Sequence, residues 1–506
     1  MPYGFVIDQT RCIGCHACTV ACKSENDVPL GDFRTWVKYT ETGTFPEVKR
    51  DFSVLRCNHC TNAPCITICP VVVLDKRPDG IVDLDRDVCI GCKSCMQACP
   101  YDALYLNEQT GGAEKCHYCA HRVDQGLEPA CVVVCPEEAI ISGDFNDPDS
   151  KIAKLRKRED AIVRRPEQGT QPNVHYIGAN PVALDPGRAK EPDSYIWSER
   201  RFPAPDYPDS IDTAPDTTTV LDVNHKVHWG TEVSLYLLTK GVSAGVIMLA
   251  PLIGMFAANS PNNANVCNFL PEMLGIAFLV ITLLLLVMDL ERPEKFLSIM
   301  LRPNTNSWLV KGAWVLTVFG GVAASAVLAR LVGYDDLADN LRYAGIATGA
   351  AAAGYTALLF AQCEGRDLWQ NTKLLLPHLL VQAAMLGAVT MLPWFPGENS
   401  LIWMVSIGAI AHLLFSLHEA HNSHPTHNAT LAASLLPRIL AFGTSKRGAF
   451  GLGLTLTTAV GWLAPALAIV GQLNTITSLL LVGLCYLGTF LYEQAYLRAG
   501  QLPPLS

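Results

Sequence analysis

RCIGCHACTVACK, residues 11–23, sets Cys12, Cys15, Cys18 and Cys22 within eleven positions. The pattern recurs downstream as Cys57, Cys60, Cys65 and Cys69, then Cys89, Cys92, Cys95 and Cys99, then Cys116, Cys119, Cys131 and Cys135. The last three groups each run into a proline: Pro70, Pro100 and Pro136. Sixteen of the 19 cysteines thus form four complete quartets, and only Cys267, Cys363 and Cys485 lie outside them. Inert buried cysteines would not be periodic, so the sixteen call for a common chemistry. The other three read as small apolar residues.

The first and third quartets have the spacing C-x2-C-x2-C-x3-C of bacterial two-cluster ferredoxins. Three closely spaced thiolates wrap one face of a cubane, and the fourth opens a helix and points to the other cluster of a pair. A disulfide framework needs an oxidising compartment and rarely has this spacing. Zinc knuckles use pairs of cysteines and do not explain three Cys-Pro endings. Because every quartet is complete, four 4Fe–4S clusters are expected and no three-iron cluster.

The remaining chain is different. Across 506 residues the formal net charge is −9, which gives no reason to expect a nucleic-acid partner, and half the residues are hydrophobic. Residues from about 141 to 226 are rich in Pro, Asp and Arg and read as a solvated connector, with a docking surface in the first part. Eight apolar runs follow, near 232–257, 269–289, 308–332, 342–363, 374–394, 401–420, 449–471 and 475–497. Each is long enough to cross a hydrocarbon core, and Trp229, Trp308, Trp369, Trp394 and Trp403 stand near run ends as interfacial aromatics do. An even number of spans puts the sulfur-rich region and the C-terminus on one side. That side carries Lys226, Arg292, Lys295, Arg302, Lys311, Arg366, Lys373, Arg438, Lys446, Arg447 and Arg498, against little beyond Arg330 and Arg342 opposite. The richer side is cytoplasmic, so a multi-pass inner-membrane protein with cytoplasm-facing clusters is expected. No signal peptide is evident before Cys12.

Residues 1–195, with Asp8 and the blocks RCNHCTNAPCITICP, AEKCHYCAHRVDQGLEPACVVVCP and RRPEQGTQPNVHYIG, resemble the four-cluster ferredoxin subunit of molybdopterin oxidoreductases. The resemblance implies nested ligand sharing: Cys12, Cys15 and Cys18 with Cys135; Cys116, Cys119 and Cys131 with Cys22; Cys57, Cys60 and Cys65 with Cys99; Cys89, Cys92 and Cys95 with Cys69. HWGTEVSLYLLTKGVSAG, DLERPEKFLSIMLRPNTNSWLVKGAW and GYTALLFAQCEGRDLWQ resemble the polysulfide-reductase-type (NrfD-like) eight-helix anchor, a haem-free quinone-binding family. There a His of the first-helix HW pair and a Tyr of the fourth helix serve the quinone. Here those positions are His228 and Tyr355, with Trp229, Lys240 and Trp369 as further candidate lining of a menaquinone or ubiquinone site. A quinone carbonyl needs a hydrogen-bond donor, and its reduction needs groups that pass protons.

Charges inside spans are costly and usually functional. Lys240 reads as either snorkelling to the interface or facing the site. Arg292 reads as an anchor or helix lock more than a quinone contact. HLLFSLHEAHNSHPTHN holds His412, His418, His421, His424 and His427. It reads as a polar loop ending the sixth span, with a haem between His378 and one of these as the sharper alternative. No haem is expected.

The fold expected is an α+β ferredoxin-like domain of two duplicated two-cluster modules, followed by an all-α eight-helix transmembrane bundle. The boundaries are 1–195, a linker 196–227, the anchor 228–498 and a tail 499–506. The function expected is electron relay between a separate large molybdopterin (molybdenum bis-pterin) subunit and quinone in the lipid bilayer. Cytoplasmic orientation favours sulfite dehydrogenase. A polysulfide or oxyanion reductase, a hydrogenase module and a redox-coupled ion translocator stay open.

Overall fold

The computed structural model describes residues 3–190, 195–196, 214, 216–224, 226–259, 264–422, 424–438 and 448–506. Lys446, Arg447, the side chain of Cys267 and much of the expected 196–227 linker lie outside the described residues.

The ferredoxin region is built on ten short strands: β1 (Tyr3–Asp8), β2 (Thr35–Thr44), β3 (Glu47–Arg56), β4 (Leu74–Lys76), β5 (Val82–Leu84), β6 (Leu104–Asn107), β7 (Gly112–Lys115), β8 (Ile140–Asp144), β9 (Val174–Ile177) and β10 (Thr217–Leu221). β1 is central, antiparallel to β8 and parallel to β9. Its Phe5, Val6 and Ile7 are all fully buried, as befits a strand covered on both faces. The second and third quartets are each followed by a small hairpin, β4–β5 and β6–β7, which displays the duplication in three dimensions. The long β2–β3 hairpin is inserted between the first two quartets. β10 comes from the stretch read as linker and pairs with β2, so part of that stretch belongs to the ferredoxin region and covers a sheet edge.

Eight helices are long and apolar enough to cross a membrane among the described residues: α1 (Thr231–Asn259), α2 (Ala264–Met288), α3 (Trp308–Leu331), α4 (Asp335–Ala361), α5 (Thr372–Met391), α6 (Asn399–His421), α7 (Ala449–Ile469) and α8 (Thr475–Gln501). α4 begins seven residues before the apolar run at 342, because Asp335 and Asp336 in its first turn offset the partial positive charge of the helix start. α1 packs on α2, α4 and α5, and α5 leads through α6 and α7 to α8, which returns to α1. Gly245 and Gly387 set α1 and α5 backbone to backbone, since a Cβ on Gly387 would overlap Gly245 itself. Gly453 and Gly488 do the same for α7 and α8. Small residues at such crossings replace a hydrophobic driving force that lipid does not supply.

The end of the chain is not a free tail. α8 continues to Gln501, and Leu505 and Ser506 are buried, with their carbonyls accepting from Arg164 Nη2 at 2.9 Å and Lys38 Nζ at 3.0 Å.

Candidate functional site: a line of sulfur-lined hollows ending at a membrane pocket

Each quartet opens with a tight C-x2-C loop. The third residue of that loop has a positive φ in all four: Gly14 (70°), His59 (43°), Gly91 (71°) and Tyr118 (64°). The left-handed kink turns the loop around whatever lies inside it, and Gly takes it without strain in the two ferredoxin-spaced quartets. After the three Cys-Pro endings a second positive φ recurs, at Val72 (54°), Asp102 (51°) and Glu138 (46°). That turn aims the next N–H back at sulfur: Val73 N donates to Cys69 Sγ at 3.3 Å and Ala139 N to Cys135 Sγ at 3.2 Å. The first quartet has no proline. There the helix Ala17–Asn26 runs on past Cys22, and Asn26 Nδ2 stands 3.7 Å from Cys22 Sγ and 3.9 Å from Cys119 Sγ.

The sulfurs gather across quartets. Cys69, Cys89, Cys92 and Cys95 line one hollow, and Cys22, Cys116, Cys119 and Cys131 line another. Cys65 has Cys57, Cys60 and Cys99 as charge neighbours, and Cys12 has Cys15 and Cys135. Gly91 N and Ala113 N both donate to Cys89 Sγ at 3.4 Å. Four thiols around a hollow, with N–H groups aimed at sulfur, fit a 4Fe–4S cluster. Burial pushes the Cys18 and Cys92 thiols up to about 12, so bare thiolates there are unfavourable and iron ligation relieves that cost.

The four groups are strung in a line. Cys18 interacts with Cys131, Cys116 with Cys57, and Cys95 with Cys65. At the outer end Cys15 is exposed and Cys12 and Cys135 are partly so. At the inner end the backbone of Cys92 meets the membrane region, where Trp229 Nε1 donates to Cys92 O at 3.3 Å. Between the first two groups lies Arg56. It is fully buried, packs over the Phe5 ring at 4.4 Å and donates from Nη1 to Cys131 Sγ at 3.2 Å.

Below the inner end, Trp229, Phe360 and Trp369 stack, with Trp229 and Trp369 centroids 5.7 Å apart at 12° and Phe360 and Trp369 4.8 Å apart. Trp229 and Trp369 are buried and so are not lipid-facing anchors, whereas Trp394 and Trp403 are exposed on the bundle surface. Deeper, Lys240 is buried at 2% exposure, which excludes snorkelling. Its Nζ donates to Thr356 Oγ1 and, at 3.2 Å, to Ala353 O, and it lies 4.7 Å from the Tyr355 ring centre. Gly312 of α3 makes room for that ring, since a Cβ there would overlap it. Lys240 and Tyr355 are therefore together. His228 sits apart from them in the domain junction, in a pocket with Asp32, Asp102 and Lys226. Burial lowers its pKa to about 4; Asp102 opposes the shift and Arg366, Lys93 and Lys226 add to it, so the imidazole is neutral at physiological pH. Donors from Lys240 and Tyr355 beside aromatic walls fit a quinone head group.

A family model described as "Polysulphide reductase, NrfD" matches residues 219–491, and one described as "4Fe-4S dicluster domain" matches residues 48–145. The protein belongs to the polysulphide reductase NrfD family. It is a fusion, because this NrfD anchor follows a ferredoxin subunit with relatives of its own. An iron–sulfur relative from the tetrathionate reductase of Salmonella typhimurium is 45% identical over 203 residues, 39% of this chain and 80% of the relative. A second, from the polysulfide reductase of Wolinella succinogenes, is 38% identical over 178 residues, 35% of this chain and 93% of the relative. The arsenate respiratory reductase iron–sulfur subunit of a Shewanella species is 36% identical over 225 residues, 35% of this chain and 96% of the relative. The fusion is thus an iron–sulfur electron-transfer subunit joined to an NrfD anchor, related to subunits of reductase complexes.

Several residues of this fusion escaped the sequence reading. Arg292 is neither membrane anchor nor helix lock: it donates to the carbonyls of Thr110 (2.6 Å), Arg86 (2.9 Å) and Cys89 (3.2 Å) in the ferredoxin region. His378 and His412 meet directly, Nε2 to Nδ1 at 2.8 Å, with no space between them for a haem. Glu419 and Glu493 are buried carboxyls at 3% exposure within apolar helices. Their signal was present as single acidic residues in LHEAH and LYEQAY.

Proposed function

We propose that this NrfD fusion carries electrons between a separate large catalytic subunit and the quinone pool. The observation that carries this reading is the line of four sulfur groups from exposed Cys15 to Cys92 above Trp229. The ligand sets are Cys12, Cys15, Cys18 and Cys135; Cys22, Cys116, Cys119 and Cys131; Cys57, Cys60, Cys65 and Cys99; and Cys69, Cys89, Cys92 and Cys95. Bound clusters supply one-electron carriers and bound quinone a two-electron, two-proton acceptor. The protein's residues do the rest. Thiols ligate, N–H donors and Arg56 offset negative charge, and the Trp229–Phe360–Trp369 stack fills the space between the inner hollow and the pocket. Lys240 keeps a third N–H for a quinone carbonyl, with Tyr355 Oη beside it. His228, neutral, lines the junction above.

The outer end suits a protein partner. Ile13 (55%), Val20 (53%) and Val133 (60%) are exposed apolar side chains beside the outermost cysteines. The partner proposed is a molybdopterin subunit acting on a sulfur compound, in keeping with the tetrathionate and polysulfide relatives. The Lys/Arg distribution supports a cytoplasm-facing complex in the inner membrane, which makes sulfite oxidation the first activity to test.

Gentle purification from membranes with metal analysis tests the reading. About 16 iron atoms per chain are expected. Molybdenum or tungsten equal to the chain, in a co-purifying large subunit, supports it, with sulfite-dependent quinone reduction as the substrate assay. Nickel in that subunit points to a hydrogenase module, and iron alone with no large partner overturns the catalytic-complex reading.

A further inference from the structure

The second half of the bundle repeats the first. Five residues before Gly245 of α1 stands Lys240, and five before Gly387 of α5 stands Gln382; four residues earlier again stand Tyr236 and His378. On the helices that return to the ferredoxin side, Tyr355 and Thr356 of α4 match Tyr492 and Glu493 of α8. Contacts match as well: Lys240 donates to Thr356, and Gln382 hydrogen-bonds Glu493. Gly312 and Gly453 make room for Tyr355 and for the backbone of Tyr492. Where the first half presents a pocket of donors and aromatics, the second presents groups that exchange protons, to which α6 adds His412 and Glu419.

These groups form a chain. Glu419 lies two residues from the ferredoxin-side end of α6, flanked by exposed His418 and His421. Tyr496 Oη donates to Glu419 Oε1 at 3.0 Å, and the Tyr492 hydroxyl lies beside Glu419 and Ser416. The Tyr492 ring packs on His412 and His378 with centroids 4.7 and 5.4 Å apart, and the two histidines share their 2.8 Å contact. His378 is one turn from Gln382, which reaches Glu493, and Glu493 is the charge neighbour of Lys240. Along this route His412 Nε2, Tyr492 Oη and Gln382 Nε2 are buried with no hydrogen-bond partner at contact distance among the described residues. Unpaired polar atoms in an apolar bundle are costly, and atoms so grouped are places for bridging water.

We infer that Glu419, Tyr492, His412, His378 and Glu493 form a proton path from the ferredoxin side of the membrane to a quinone at Lys240 and Tyr355. It rests on the quinone pocket proposed above. Reducing one quinone to quinol takes two electrons, delivered by the reduced clusters, and two protons, delivered by this path; oxidising quinol returns both. Electrons and protons enter from the same face, so turnover moves no net charge across the bundle.

The full-length chain with its clusters, in lipid nanodiscs, is reduced and mixed with a short-chain menaquinone analogue. Iron–sulfur absorbance reports electrons and a pH-indicator dye reports protons. Glu419→Gln and Glu493→Gln are expected to slow both signals roughly 10- to 100-fold. Affinity for the analogue is expected to stay unchanged, and small weak acids such as formate are expected to restore Glu419→Gln, which a merely structural defect would not allow. Wild-type proton uptake in both variants overturns the path. Failure of the pocket reading has its own signature: Tyr355→Phe and Lys240→Met bind the analogue as tightly as the wild type.

Discussion

Arg56 is the side chain whose position asks most of its surroundings. A guanidinium with no solvent exposure is held by one sulfur, one aromatic face and the charge of Cys131, Cys116 and Cys18 around it. Its Nε and Nη2 have no other partner among the described residues, so its charge is directed at the two outer hollows. Cluster potentials follow net charge and hydrogen bonds to sulfur. Replacing the cation by Arg56→Met keeps the length and removes the charge. The two outer clusters are then expected to fall by roughly 50–100 mV, one to two powers of ten in the electron's equilibrium. A redox titration followed by electron paramagnetic resonance reads this directly, and unchanged potentials would show that the charge is compensated elsewhere. Nothing local in RCNHC announces this role, because it depends on β3 crossing the hollow formed by quartets far away in the chain.

The helices make a parallel point about small residues. Gly245 and Gly387 have no room for a Cβ, whereas Gly321 of α3 faces open space. Gly245→Val should therefore separate α1 from α5 and cost about 1–3 kcal/mol of overpacking, while Gly321→Val should be close to neutral. Thermal unfolding of the full chain in one detergent compares them, and equal midpoints would refute the close crossing. What was readable beforehand has the same physical basis. Cysteine spacing and long apolar runs are local patterns, so the quartets, the eight spans and the ferredoxin-then-bundle order were legible. Lys240 with Tyr355 was legible as a pair of unusual residues. The pairing of β10 with β2, the Trp229–Trp369 stack and the use of Arg292 are long-range contacts that leave no periodic trace. Glu419 and Glu493 were masked by helices that remain apolar on average around them.

Taken as one molecule, the fusion depends on a junction that is polar and closely fitted. Arg292 holds three carbonyls around the Cys89 loop, Asn304 Nδ2 donates to Cys69 O at 2.8 Å, and Ser307 Oγ donates to Ile68 O at 2.7 Å. On the opposite flank Arg165 pairs with Asp367 at 3.1 Å, and Gln97 joins Gln501 at 2.8 Å and Arg366 at 2.8 Å. These contacts cluster around the two hollows nearest the membrane, where the gap between sulfur and pocket sets the rate of electron transfer. Hydrogen bonds to a charged group contribute about 1.5–3 kcal/mol each, so Arg292→Ala combined with Asn304→Ala removes a large share of one flank. The double variant is expected to keep its iron content and its cluster signals, because no ligand changes. It is also expected to lose most quinol-driven cluster reduction and to be cut by protease between the two regions. Iron content, cluster reduction by a quinol analogue and limited proteolysis on one preparation separate a loosened junction from a lost cluster. Full quinol-driven reduction in that variant would mean that the Arg165 flank and the buried Leu505–Ser506 end hold the electron path together without the Arg292 clamp.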